Sequence, residues 1–118
     1  MISKYRSKKT IIDGITFDSQ LEGRFYVYLR DHNIEIIELQ PRFILQEKFT
    51  LWREKIRAIE YVADFKIKHQ GDVFFIDSKG FQTPDFKIKL KLWKKRYWQE
   101  NYLIIAKSIK DLDKQLCQ

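Results

Sequence analysis

Two apolar segments separated by the turn Gln70-Gly71-Asp72 constrain this chain more than anything else in it. The first runs from about Arg57 to Lys68 and alternates. Ile59, Tyr61, Ala63, Phe65 and Ile67 share one face of a β-strand, while Glu60, Val62, Asp64 and Lys66 share the other. The second, Val73 to Ser78, reads as the next strand and leads into Asp77-Ser78-Lys79, where Asp77 and Lys79 are two apart and project to one face. A carboxylate inside an apolar strand is costly unless something neutralises it. The strand-turn-strand arrangement brings Asp64 and Asp77 side by side with Lys79 next to the second, and that combination asks for a divalent cation. A solvated face is the ordinary explanation for an Asp and a Lys two apart, so the Asp-x-Lys triplet alone is weak. The pairing with Asp64 is stronger.

At 118 residues the chain is large enough for one core and too small for two. A hydrophobic content of 44%, with 15% aromatic residues, is ample for a packed globule and argues against disorder. There is no apolar run on the order of 18 residues, so no membrane-spanning helix is expected. Met1-Ile2-Ser3-Lys4-Tyr5-Arg6 carries charge without an apolar region behind it, so no signal peptide is expected. The lone Cys117 excludes an internal disulfide and a four-cysteine zinc site, which fits a reducing cytosol and a cytoplasmic location. The balance of 23 basic against 16 acidic residues, a net charge of +7, points to a polyanionic partner. Residues 3–10, Ser-Lys-Tyr-Arg-Ser-Lys-Lys-Thr, form a basic arm that either orders on a phosphate backbone or stays an untethered terminus.

Around the two strands the other elements follow from local signals. Ile11 to Phe17 reads as a hairpin turning at Asp13-Gly14. Asp18 or Ser19 opens a helix to about His32, with Leu21, Phe25, Tyr28 and Leu29 as its core stripe. Glu22 lies on the flank of that stripe and has two readings: Ser19-x-x-Glu22 is a capping box, or the carboxylate faces the sheet. Spacing alone favours the cap. Ile34 to Leu39 and Phe43 to Phe49 read as strands on either side of Gln40-Pro41-Arg42, and Trp52-Arg53-Glu54-Lys55 as a polar turn. Thr83-Pro84-Asp85 is a strong helix start. The alternation of residues 86–93 says strand, but the start signal and the stripe Phe86, Leu90, Trp93, Tyr97 predict a helix to about residue 98. Ile88 and Leu92 then form a second apolar face, a hint of a partner subunit. Asn101 to Ala106 predicts a fifth strand and Ile109 to Leu116 a short last helix. The whole is an α/β chain with a central mixed sheet of about five strands flanked by helices, in a single unit over residues 1–118.

Hydrolysis of a phosphodiester needs a cation on the phosphate oxygens, an activated water and stabilisation of the leaving oxygen. Asp64 and Asp77 could ligate Mg²⁺, the Ser78 carbonyl could add a neutral oxygen, and Lys79 could polarise the water or the phosphate. Glu22 or Glu60 competes for the remaining place, and spacing excludes neither. At this point the chain resembles the PD-(D/E)xK nuclease superfamily, and more narrowly small phage and prophage endonucleases related to Holliday-junction resolvases. The resemblance rests on Lys8-Lys9-Thr10, Phe17-Asp18-Ser19, Glu22, Leu39-Gln40-Pro41, Tyr61-Val62-Ala63-Asp64-Phe65 and Asp77-Ser78-Lys79-Gly80-Phe81-Gln82-Thr83-Pro84, in the family's order. It implies a restriction-endonuclease-like core, Mg²⁺ or Mn²⁺ dependence, and cleavage of DNA, branched DNA such as Holliday junctions in particular, in phage recombination or replication. For a phage protein the location would be the host cytoplasm. It also carries Asp64 and Asp77 over as metal ligands, Lys79 as the catalytic lysine and Glu22 as the acid on the first helix. The superfamily's proline before the first aspartate is replaced by Ala63, which leaves the carboxylate in place.

DNA-contacting candidates are Lys8 and Lys9 in the arm, Gln40 and Arg42 at the strand connection, Gln82 past the lysine, and the cluster Lys87, Lys91, Lys94 and Lys95 on the second helix. Lys89 and Arg96 belong to the same run, and the charges encircle the helix, so only part can meet a phosphate backbone. His32 and His69 stand at element ends and read as surface residues. The alternative reading keeps the fold and the basic surface but not the activity: a DNA-binding module without catalysis. A homodimer would suit paired cleavage of a junction.

Overall fold

The computed structural model describes residues 8–117, so residues 3–7 of the basic arm lie outside the described part. Thr10–Ile12 (β1) and Ile15–Phe17 (β2) form the expected hairpin, and Asp13 and Gly14 both take positive φ, 53° and 76°, as its two-residue turn demands. Ser19 caps Gln20–Asp31 (α1), its Oγ accepting the Glu22 N–H at 3.0 Å. Phe25 and Leu29, one turn apart, are fully buried. Gly23 lets α1 lie close on β1, because a Cβ there would come within 2.7 Å of the Thr10 methyl.

The main sheet has four strands in the order β10-β9-β8-β3: Leu103–Ala106 (β10), Asp72–Ser78 (β9), Phe65–His69 (β8) and Glu35–Leu39 (β3). β8 pairs antiparallel with both β9 and β3, whereas β9 and β10 run parallel, so the sheet is mixed. A parallel pair needs a crossover, and Pro84–Tyr97 (α2) supplies it. Thr83 Oγ1 accepts the Phe86 N–H at 3.1 Å, and with Pro84 at the first position this capped start prevails over the alternating pattern of residues 86–93. Ile109–Leu116 (α3) begins on a second hydroxyl cap, Ser108. α1 and α3 cover one side of the sheet, where Phe25, Leu29, Leu112 and Leu116 pack with Phe65, Ile67, Ile76 and Ile104. α2 covers the other, where Phe86 and Trp93 meet Phe43, Tyr61 and Phe75. The architecture is mixed α/β, with three helices about a four-stranded mixed sheet rather than the five strands expected.

Three expected elements are redrawn. The strand anticipated from Arg57 to Lys68 is two strands, Ile59–Val62 (β7) and β8, broken at Ala63-Asp64. In a regular antiparallel strand one residue's N–H and C=O point to the same neighbour. Here the Asp64 N–H goes to Ile76 O on β9 at 2.9 Å, while its C=O accepts the Gln40 N–H on the opposite side, also at 2.9 Å. That reversal kinks the chain. Tyr61 and Ala63 therefore enter the α2 core and Phe65 and Ile67 the α1 core, instead of all sharing one face.

The strand expected from Phe43 to Phe49 stops at Gln46: Arg42–Gln46 (β4) pairs with β7 through a register shift between Ile44 and Gln46. Phe49 opens a separate hairpin, Phe49–Leu51 (β5) with Glu54–Ile56 (β6), so only Trp52-Arg53 of the expected four-residue turn is a turn. On α2 the stripe Phe86, Leu90, Trp93, Tyr97 faces the core, and Ile88 and Leu92 remain exposed on the other face. No helix among the described residues is long and apolar enough to cross a membrane.

Candidate active site

The kink at Asp64, the end of β9 and the start of α1 converge on one open cleft of about 1130 Å³. Glu22, Tyr61, Asp64, Ser78 and Lys79 line it, with Asp77 directly beneath and fully buried. Asp77 is held from three directions. The Tyr61 hydroxyl donates to its Oδ2, the Lys79 ammonium donates to its Oδ1 at 3.1 Å, and Ile76 before it is locked in the core. Burial first, and then repulsion from Asp64, push its carboxyl up to about 7, against the opposing pull of Lys79 and Tyr61.

Asp64 is oriented by the residue that follows Asp77. Its Oδ2 accepts the Ser78 N–H at 2.7 Å and the Ser78 Oγ–H at 2.6 Å. Through its N–H and hydroxyl Ser78 acts on the site as a double donor to the neighbouring aspartate, a role beside the carbonyl ligation expected of it. Lys79, besides its ion pair with Asp77, lies over the Phe86 ring at 5.1 Å, so α2 helps to aim its ammonium.

Both readings of Glu22 hold at once. Its side chain accepts the Asp18 N–H at 3.1 Å while its own N–H goes to Ser19 Oγ, a capping arrangement shifted by one residue from the usual box. The residue is 4% exposed, and the charges of Asp64 and Asp77 both act on its carboxylate. Burial, then the charge on Asp64, raise its pKa to about 7. Glu60, its rival, pairs with Arg42 at 2.8 Å and does not line the cleft. Among the described residues no three His, Cys, Asp or Glu side chains stand close enough to make a finished metal cluster.

The structure sorts the expected DNA-contacting residues. Lys8 and Lys9 line the cleft. Gln40 does too, with its amide on Asp18 Oδ2 at 3.2 Å. Arg42 is committed to Glu60, outside the cleft. Gln82 is exposed beside it, and Lys87, Lys91, Lys94 and Lys95 are exposed on α2 beyond its lining. The α2 cation that does line the cleft is Lys89, and Arg24 of α1 joins it. Arg24 and Tyr61 had not been expected at the site. A tyrosine in a buried stripe needs a partner for its hydroxyl, which was the available signal for Tyr61. His32 stacks on Tyr28 with ring centroids 4.0 Å apart, away from the carboxylates, as its surface reading requires.

These features define a class: a mixed α/β protein whose first helix and kinked sheet bring three acidic side chains and a lysine to one cleft that Lys8, Lys9, Arg24 and Lys89 also line. The chain belongs to the family described as Protein of unknown function (DUF1064), which it matches over residues 2–113. No curated protein matches it, and no solved structure does.

Proposed function

We propose that the protein is a metal-dependent DNA endonuclease of the PD-(D/E)xK type, with a restriction-endonuclease-like core. One observation carries this reading: Glu22, Asp64 and the buried Asp77 converge on one half-enclosed cleft in which the Lys79–Asp77 ion pair sets one cation against three acids. Two carboxyls raised to about 7 mark an excess of desolvated negative charge. Hard carboxylate oxygens are the donor type that Mg²⁺ or Mn²⁺ takes, so the chemistry of Asp64, Asp77 and Glu22 fits such an ion, which would have to draw the three closer than they stand. When bound, the ion supplies Lewis-acid polarisation of the phosphate and acidifies a water.

The chain's own groups account for the remainder. Lys8, Lys9, Arg24 and Lys89 bring the sugar-phosphate backbone into the cleft without reading sequence. Lys79 sets a positive charge where negative charge develops on the scissile phosphate. Tyr61 and Ser78 hold Asp77 and Asp64 in fixed orientations, which keeps the oxygens prearranged. Branched DNA is the proposed preferred substrate, and the exposed Ile88 and Leu92 are the proposed contact between two copies.

The test is incubation with a four-way junction, a flap, a duplex and a single strand, with and without Mg²⁺, alongside the solution mass. The expected result is Mg²⁺-dependent cleavage that Asp77→Asn abolishes while circular dichroism stays native. Absence of cleavage on every substrate, or cleavage that survives Asp77→Asn, overturns the reading and leaves a DNA-binding module.

A further inference from the structure

The β5–β6 hairpin takes part in none of this chemistry, and no other helix or strand of the described residues packs on it. Phe49, Leu51 and Trp52 are 47%, 55% and 93% exposed. Trp52 stands at the tip with φ +57°, a conformation that a bulky side chain rarely adopts and where asparagine or glycine is usual. Around it Lys48, Arg53, Lys55 and Arg57 are exposed, and no ion pair among the described residues engages them. The base of the hairpin, by contrast, is anchored. The Tyr97 hydroxyl donates to Ile44 O at 2.6 Å and Arg96 donates to Leu45 O at 3.2 Å, tying β4 to α2.

An isolated two-stranded hairpin with three apolar side chains in water is marginal. The four cations Lys48, Arg53, Lys55 and Arg57 outweigh the exposed Glu54 of β6, which disfavours a second copy of the same net-cationic surface and favours a polyanion whose flat apolar faces are accessible. Unpaired nucleobases meet both demands, since every base offers a face to an aromatic ring and a phosphate to a cation. We infer that Trp52 and its flanking cations form a second nucleic-acid contact, in which the indole stacks on unpaired bases while the cleft holds the adjoining backbone. This rests on the DNA reading above and adds the part of the substrate that the cleft does not distinguish: bases exposed at a branch or single-stranded segment. Trp52 lies twelve residues from Asp64 along the chain, through β6 and β7. A chain of that length spans at most about 40 Å. Cuts should therefore fall within about twelve nucleotides of the unpaired bases, at about 3.4 Å per step.

Binding without divalent ions tests this apart from catalysis. Fluorescence anisotropy with a labelled 20-nucleotide single strand and the matching duplex, both in chelator, is compared for the parent, Trp52→Ala and Trp52→Phe. Trp52→Ala should weaken single-strand binding about tenfold and duplex binding less than twofold, with Trp52→Phe recovering most of the loss. Equal affinities in parent and Trp52→Ala overturn the inference, as does an equal loss on both DNAs. A Trp52→Ala variant that changes only the solution mass makes the hairpin an interface between copies, and overturns it too. Cleavage failing everywhere while the single-strand effect holds would sink the nuclease reading alone.

Discussion

The carboxylate of Glu22 makes the site's electrostatics measurable without any substrate. Its ordinary pKa of 4.5 rises to about 7 in the folded chain, chiefly from burial and then from Asp64. Between those two values the folded protein keeps a proton that the unfolded chain has released, so stability falls as pH rises across that window. Above about pH 7 the full cost is present. A rise from 4.5 to about 7, at about 1.4 kcal/mol for each pH unit, makes it about 3 kcal/mol. Glu22→Gln removes the charge and keeps an oxygen to accept the Asp18 N–H, so the cap survives. Urea unfolding in chelator should then find Glu22→Gln more stable than the parent by about 3 kcal/mol at pH 8, with the two converging near pH 4.5. In a thermal scan the difference at pH 8 is on the order of 10 °C. Mg²⁺ at a hundred times its dissociation constant should restore about 2.7 kcal/mol to the parent and far less to the variant. Equal stabilities at pH 8, or a variant less stable at both pH values, would refute the reasoning about a desolvated, repelled carboxylate. A parent indifferent to Mg²⁺ would leave that electrostatic account intact and remove the metal from it.

Tyr61→Phe deletes the hydroxyl that lowers the Asp77 pKa, so Asp77 should hold its proton to still higher pH. Calorimetric Mg²⁺ affinity should drop at pH 7, and the gap should close by pH 9, where both proteins have ionised Asp77; a gap independent of pH would point to lost packing instead. Gly23→Ala drives a Cβ to 2.7 Å from the Thr10 methyl and 3.0 Å from the Ile12 Cδ1, so the stiff β-branched Thr10 side chain or β1 with it must shift. A loss of about 1–3 kcal/mol by urea unfolding is expected; a gain, which glycine removal gives where there is room, would show that the hairpin yields freely.

Much of the fold was legible from local chemistry. Asp13-Gly14 dictated its turn, Ser19 and Thr83 dictated where the first two helices begin, and Ile109–Leu116 matched the expected range. These features depend on residues within a few positions of each other, where backbone preference and capping act. Asp64, Asp77 and Lys79 of the candidate site were also legible, because an apolar strand that carries a carboxylate stands out against its own neighbours, whereas spacing alone favoured a helix cap for Glu22.

What the pattern did not contain is non-local. Alternation reports that Tyr61 and Phe65 are both buried, but not that the chain kinks between them, since the kink arises from Gln40 and Ile76 taking opposite amide groups of Asp64. That one choice of partners sends Tyr61 to Asp77 and puts Asp64 beside Ser78. Likewise, helical periodicity placed six cations around α2 and could not say that Lys89 is the one at the cleft. Nor could it say that residues 49–56 leave the sheet as a hairpin of their own. Composition and spacing determined the chemical inventory of this protein. The docking of α1 on the sheet and the kink at Asp64 decided which of those groups meet, because burial, mutual repulsion and hydrogen-bond partners exist only between elements already packed together.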